Sequence, residues 1–216
     1  GWDLQVCTSD STEAEVTEAA KIADFILVFG HGVSDTVLRV AKKTKLVQLC
    51  SAGFDGINLR LAGELGIPVA NNGGANAIPV AEFAITLTLS TIRHLTVAAA
   101  DTVAGQWMRP EVDGRDSHEL FATTVGIIGA GRIGSTVAGM LRGFETTTLY
   151  TDKVRSEKAE SFGAVKVELD ELLERSDVVT LHTPLDGSTH GLIGESELRL
   201  MKKTAILINT CRGPVV

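Results

Sequence analysis

Cysteine is scarce in these 216 residues: there are three, at 7, 50 and 211, an odd number with no CxxC pair. That excludes a disulfide framework, argues against a zinc site and suits a reducing, cytoplasmic setting. Long apolar runs are lacking too. The longest predominantly apolar stretch, Phe83 to Ile92, has ten residues between Glu82 and Arg93, too few to cross a bilayer, so no membrane span is expected. Basic charge is in deficit. Twenty Lys and Arg against 27 Asp and Glu leave a net charge of −7, and without a basic stripe such a surface repels a phosphate backbone. Nucleic acid is not an expected partner. Low-complexity tracts are missing as well, and 44% hydrophobic with 22% charged residues excludes a disordered or collagen-like chain. No initiator methionine and no signal peptide stand at Gly1, and Val216 follows directly on an apolar strand and a short loop. The chain is therefore expected to be an internal excerpt.

At roughly 150 residues per domain, the length allows one to two domains with a core of their own. Short β-rich runs at Leu4–Cys7, Phe25–Phe29, Leu46–Leu49 and Pro68–Ala70 alternate with amphipathic stretches that carry helix-start signals. Thr12 to Glu15 is a capping box, Ser34 opens Asp35–Lys42, and Asn58 opens Leu59–Leu65. A helical pattern from Pro79 to about Ala100 predicts an element bridging two domains, and a turn-rich segment over Gly105–Asp116 follows. A second alternating series then begins. Strands are predicted at Thr123–Ile128, Thr146–Tyr150, Ala164–Val167, Asp177–His182 and Thr204–Asn209. Helices are predicted between them at Arg132–Arg142, Ser156–Phe162, Leu169–Arg175 and Glu195–Met201. Strands alternating with helices imply parallel sheets covered on both faces. The expected fold is α/β with two parallel-sheet domains, over residues 1–95 and 96–216.

The sharpest local signal is Thr123 to Gly134, TTVGIIGAGRIG, where a buried strand runs into Gly129-x-Gly131-x-x-Gly134 and then a helix. Gly129 permits the tight turn, Gly131 lets the main chain approach a pyrophosphate, and Gly134 lets the helix pack on the strand. The amides of Arg132 and Ile133 then face the phosphates. Asp152 stands 23 positions after Gly129, where a carboxylate accepts hydrogen bonds from adenosine ribose hydroxyls. It would repel a 2′-phosphate by about 4 kcal/mol at ~4 Å and an effective dielectric near 20. NAD is expected over NADP, although Arg155 lies close enough in sequence to answer a 2′-phosphate.

Further segments stop being generic. They are SDVVTLHTPLDGSTHGL at Ser176–Leu192, MKKTAILINTCRG at Met201–Gly213 and SAGFDGINLRLAGELGIPVANN at Ser51–Asn72, with Asn76, Val80–Glu82, Trp107, Glu119 and Leu120. Together with the glycine motif, in this order and spacing, they resemble the D-isomer-specific 2-hydroxyacid dehydrogenases over essentially the entire chain. The resemblance implies a flavodoxin-like substrate domain before a Rossmann NAD-binding domain that is C-terminally truncated, both taking part in an NAD-dependent exchange between a D-2-hydroxy acid and a 2-keto acid. It implies that Arg212 anchors the substrate carboxylate and polarises the keto oxygen, with the Ala52 and Gly53 amides on the other side of the same carboxylate. A guanidinium suits that task because its planar fork grips a carboxylate with two bonds and keeps its charge. Thr183 and Pro184 are implied at the adenosine pocket, Thr210 and Cys211 along the nicotinamide side, and Asn76 with Val80–Glu82 at the mouth of a cleft. A homodimer of the complete protein is implied as well.

In that family a histidine protonates the nascent alkoxide and a glutamate orients it, both after the arginine in sequence. No histidine here is carried onto that role, so the 216 residues alone are expected to be inactive or nearly so. An earlier N-terminal strand is also implied, and both sheets are expected to show apolar edges that make the isolated chain poorly soluble. Cys211 reads as a packing residue rather than a nucleophile, and His182 as strand-end packing. Neither those two histidine and cysteine positions nor His31, His94, His118 and His190 show metal-ligand spacing. Two other readings stay open: a formate dehydrogenase on the same scaffold, and a non-catalytic, NAD-sensing protein of the corepressor kind.

Overall fold

A computed structural model describes every residue except Trp2, His31 and 108–116. Most of the turn-rich segment expected over Gly105–Asp116 lies outside the described residues, as does His31. The chain divides into two compact units, Gly1–Ala75 and Asn76–Val216.

In the first unit, α1 (Glu13–Ile22), α2 (Asp35–Val40) and α3 (Leu59–Glu64) alternate with β1 (Phe25–Val28), β2 (Leu46–Leu49) and β3 (Val69–Ala70). The strands form a parallel sheet in the order β1-β2-β3. The caps are those the sequence predicts. Thr12 and Glu15 close a reciprocal box at α1, Ser34 accepts from the Val37 amide, and Asn58 accepts from the Leu61 amide; each replaces a carbonyl that a first helical turn lacks. Val37, Leu38, Val47, Leu49, Leu61 and Ile67 make the core. One expectation fails: Leu4–Cys7 is not a strand, and Leu4 and Val6 are exposed. Four residues of β-prone sequence hold an extended pairing only against a neighbouring strand, and no ladder reaches them. β1 is an edge strand of this sheet, and Phe25 and Leu27 on it are exposed, with Phe29 just beyond the strand.

The second unit begins with α4 (Ala77–Ile92) and α5 (Leu95–Val103). The single helix expected from Pro79 to Ala100 is two helices bent by 68°, because the chain turns at His94 in the left-handed region, φ 49. No single helix among the described residues is long and apolar enough to cross a membrane. The division between the units also falls earlier than the expected 95/96 boundary. Ala81, Ala84 and Ile92 recur on one face of α4 and join the core of the second unit, where α4 packs on helix α6 (Arg132–Leu141) and strand β8 (Ile206–Asn209). A helix sides with whatever covers its apolar stripe.

The sheet of this unit is β4 (Thr124–Ile128), β5 (Thr147–Thr151), β6 (Val165–Lys166), β7 (Val178–Leu181) and β8, all parallel, in the order β6-β5-β4-β7-β8. The helices α7 (Glu157–Ser161), α8 (Leu169–Arg175) and α9 (Glu195–Leu200) connect the later strands. Alternation along the strands feeds two cores. Val125, Ile127, Tyr150 and Val178 pack with α4 and α6, whereas Ile128, Leu149, Val179 and Leu181 pack with α8 and Ile193. Each fully buried aliphatic side chain stabilises by about 1.5–3 kcal/mol. The strand order reverses direction on either side of β4, so the carboxyl ends of β4 and β7 open a crevice between them. Open α/β sheets bind ligands there.

Candidate functional site

The residues at that crevice follow from the turn after β4. Gly129 has φ +91, a conformation costly for any residue with a Cβ, and a Cβ there would stand 2.9 Å from the main chain of His182. A Cβ on Gly134 would stand 2.1 Å from the Gly129 carbonyl oxygen; only glycine lets α6 come this close to the loop. Gly131 differs, since a Cβ there meets nothing within 4 Å. The loop is thus close-packed behind and open in front. Arg132 and Ile133 open α6 directly after Gly131, so their amides have no carbonyl within the helix and the positive end of its dipole faces the same opening.

Asp152, just past the end of β5, is half-buried. Its Oδ2 accepts from the Ala130 amide at 2.8 Å and Oδ1 from the Val154 amide at 3.1 Å. The carboxylate therefore also holds the glycine loop, a role the sequence reading missed. Two oxygens with about four acceptor positions leave capacity for ribose hydroxyls. Ser156 fixes the same loop residue from the other side, its hydroxyl donating to the Ala130 carbonyl at 2.7 Å. Arg155 is paired with Glu160. Hydrogen bonds from Arg155 and from the Tyr150 hydroxyl hold the Glu160 carboxyl below the usual carboxylate range.

Across the crevice, Thr183 follows β7 and its Oγ1 is buried with no hydrogen-bond partner. An orphaned hydroxyl of this kind marks a place where a ligand would complete the bonding. Pro184 is exposed, and its carbonyl accepts from the Thr189 hydroxyl at 2.6 Å. His182 ties this side to the next strand: Nε2 lies 2.9 Å from the Thr180 hydroxyl and Nδ1 3.4 Å from that of Thr210. Beyond Thr210, Asn209 braces the loop. Its Oδ1 accepts from the Cys211 amide at 3.0 Å and the Cys211 thiol at 3.1 Å, while Nδ2 donates to the Arg212 carbonyl at 2.9 Å. Arg212 is exposed and its Nη1 donates to the Cys211 carbonyl at 2.8 Å. Fully buried Val215 anchors the chain three residues on. Among the described residues no group of His, Cys, Asp and Glu side chains is arranged to hold a metal ion.

The second unit thus brings together Gly129, Gly131, Arg132, Ile133, Gly134, Asp152, Thr183 and Pro184 around one crevice, with Thr210, Cys211 and Arg212 joined to it through His182. Ala52 and Gly53 belong to the first unit, in the loop after β2. There the Asn71 amide donates to the Ala52 carbonyl at 2.7 Å and the Ser51 hydroxyl to that of Gly53 at 3.0 Å. Asn209, Ser156 and Glu160 were not singled out from sequence. Tyr150 carried a signal, because a buried phenol needs a partner, but nothing in the spacing named Glu160.

Burial holds the His182 imidazole neutral, its pKa pushed down from 6.5 to about 4. Above pH 6.5 neither folded nor unfolded chain protonates it; below, the unfolded chain binds a proton that the folded one refuses, and stability is lost until about pH 4. The loss should reach about 2 kcal/mol at pH 5. Thermal melts of wild type and His182→Gln at pH 7 and 5 check this. The variant should show a smaller acid-induced drop, and equal drops would assign the effect to other groups.

A strand–glycine turn–helix at the switch point of a parallel sheet, open before Gly131 and with an unpartnered threonine hydroxyl after the neighbouring strand, defines a dinucleotide-binding domain of the doubly wound class. Comparison with known proteins narrows the class: residues 85–216 match the NAD binding domain of the D-isomer specific 2-hydroxyacid dehydrogenases. The chain belongs to this family. It is 36% identical over 99% of its length to the D-3-phosphoglycerate dehydrogenase of Methanocaldococcus jannaschii, covering 41% of that protein. To the glyoxylate reductase of Korarchaeum cryptofilum it is 39% identical over 99% of its length, covering 65% of that protein. The crystal structure of D-lactate dehydrogenase from Aquifex aeolicus with NAD and lactic acid superposes with a TM-score of 0.85 at 34% identity, over 93% of this chain and 60% of that one. The chain thus spans less than two thirds of each of these proteins. NAD is the cofactor of the matched domain, and the open face of Gly131 and the orphaned Thr183 hydroxyl fit it.

Proposed function

We propose that the protein is an NAD-dependent oxidoreductase that interconverts a D-2-hydroxy acid and the corresponding 2-keto acid, of the lactate, phosphoglycerate or glyoxylate/hydroxypyruvate type. The observation that carries this reading is the run of contacts from the glycine loop to the arginine. Gly129 abuts the main chain of His182, His182 reaches Thr210, and Thr210 leads through Cys211 to Arg212. A cation with a planar fork therefore stands two residues from the threonine that borders the cofactor.

In this reading the amides of Arg132 and Ile133 hold the pyrophosphate, Asp152 takes the ribose hydroxyls, and Thr183 and Pro184 line the adenosine. Thr210 and Cys211 run along the nicotinamide, which when bound supplies or accepts the hydride. Arg212 binds the substrate carboxylate and draws electron density towards the keto oxygen, raising the electrophilicity of the carbon. Ala52 and Gly53, on the loop after β2 in the first unit, are assigned to carboxylate binding by the family resemblance alone. His182 does not serve as the acid, since an imidazole with a pKa of about 4 carries no proton to give at neutral pH. Ile78 and Phe83 on α4 and Leu95 and Val97 on α5 are exposed, which supports a homodimer formed through these helices, and the scarcity of cysteine suits a cytoplasmic enzyme.

The test is NADH consumption by the intact protein with pyruvate, hydroxypyruvate, phosphohydroxypyruvate and glyoxylate, and NAD reduction with formate. Reduction of at least one 2-keto acid is expected, with a D-configured product from those that yield a chiral centre. Formate oxidation alone would move the assignment to a formate dehydrogenase. Tight NADH binding without turnover on any substrate would overturn the enzymatic reading.

A further inference from the structure

Two cations follow Asp152 closely in sequence, Lys153 and Arg155, and either would attract a phosphate on the adenosine ribose. Lys153 is directed to the loop after β7, its Nζ 2.6 Å from the Ser188 hydroxyl. Arg155 is directed onto α7. Its Nε donates to Oε1 and Oε2 of Glu160 at 2.9 and 2.7 Å, and Nη2 lies 2.7 Å from Oε2. An exposed ion pair is usually an accident of the surface, but this carboxylate is built in. The Glu160 side chain is only 23% exposed, against 75% for Arg155. Its Oε1 also accepts the hydroxyl of fully buried Tyr150 at 2.8 Å. That hydroxyl accepts from the Ser156 amide at 3.0 Å, and Ser156 in turn donates to the Ala130 carbonyl in the glycine loop. The carboxylate is thus fixed from the core outward, and the guanidinium is the part that adapts.

We propose that Glu160 is a specificity-determining residue for the cofactor: by holding Arg155 against α7 and cancelling its charge, it withholds a cation from the ribose 2′ position and so reinforces the exclusion of NADPH by Asp152. The inference rests on the reading that Asp152 meets the adenosine ribose. Arg155 lies between Asp152 and Ser156, both bonded to Ala130, so its backbone is fixed beside the ribose carboxylate while its side chain is led away. Without the negative charge of Glu160, a cation with five donors loses its hydrogen-bonded partner three residues from Asp152, and the weaker field of Glu157 still acts on it.

The experiment is a fluorescence titration of the intact protein with NADH and with NADPH, for wild type, Glu160→Gln, Arg155→Ala, the double variant and Asp152→Ala. Gln at 160 still accepts the Tyr150 hydroxyl, so the α7 packing is kept. Glu160→Gln should tighten NADPH binding about tenfold and change NADH binding less than twofold, an order of magnitude set by one unscreened charge. The double variant should return the NADPH to NADH ratio to the wild-type value, which loss of a merely structural contact would not do. Glu160→Asp, which draws the charge back from the guanidinium, should give a smaller gain in the same direction. An unchanged ratio in Glu160→Gln, or an equal gain without Arg155, overturns the role of Glu160. An unchanged ratio in Asp152→Ala overturns the ribose reading instead, and unchanged ratios in both variants overturn the two together.

Discussion

Replacing Gly131 by alanine should weaken NADH binding roughly 10- to 100-fold with the fold intact, whereas the same replacement at Gly134 should distort the cofactor loop itself. The two positions are three residues apart and differ in what a methyl group would meet. At Gly131 it projects into open space, with no heavy atom within 4 Å, and the backbone there is extended with negative φ, so the folded chain accepts it. In the proposed reading that space is where the pyrophosphate approaches the Arg132 and Ile133 amides, and a misplaced methyl group in a close contact costs about 1–3 kcal/mol, or roughly 10- to 100-fold in affinity. At Gly134 the methyl carbon would lie 2.1 Å from the Gly129 carbonyl oxygen and 3.0 Å from Ile127 Cγ2. Backbone must move there, α6 must lift from β4, and about 3 kcal/mol of stability should be lost. Fluorescence titration with NADH and thermal melts of both variants separate the two effects. Wild-type affinity in Gly131→Ala would remove the pyrophosphate from this loop.

The same contrast explains what could be read from the chain and what could not. Elements bounded by local chemistry were legible to the residue: β2 at Leu46–Leu49 and α8 at Leu169–Arg175 begin and end as expected, because turn and cap residues act within a few positions. The glycine turn was legible for the same reason, its strand, turn and helix being contiguous. The edges misread were those decided by distant partners. Leu4–Cys7 has strand composition but no neighbour to pair with. The helical pattern from Pro79 runs on through His94, yet the chain turns there, and α4 sides with the unit that covers Ala81 and Ala84. In the site, the residue types were legible but not their bonds. Asp152 was expected to face a ribose, while its bond to Ala130 spans 22 positions. His182 was read as packing, which its burial supports, but its link to Thr210 crosses from β7 to the end of β8. Spacing along the chain carries no record of such pairings.

Arg212 should be the residue on which turnover depends most, and the manner of its failure should reveal what it does. It stands between two fixed points, the Asn209 side chain that grips its carbonyl and buried Val215, so its backbone has little freedom and its guanidinium is presented from a rigid base. Arg212→Gln should lower kcat/KM about a thousandfold, the upper range for removing one donor from a developing oxyanion. Arg212→Lys should recover only part of this, because an ammonium keeps the charge but cannot make two parallel bonds to a carboxylate. NADH affinity should stay within about twofold in both, since the glycine loop is built on β4 and α6 rather than on β8. Adding guanidinium to an Arg212→Ala variant should restore some turnover, because the missing group would be supplied without its tether. Asn209→Ala leaves the guanidinium present but loosens its base, and should lower kcat/KM by a smaller factor without changing the response to guanidinium. Steady-state kinetics on the best 2-keto acid decide the matter: near-wild-type kcat/KM in Arg212→Gln would leave the substrate carboxylate without its proposed anchor and return the protein to a binding role.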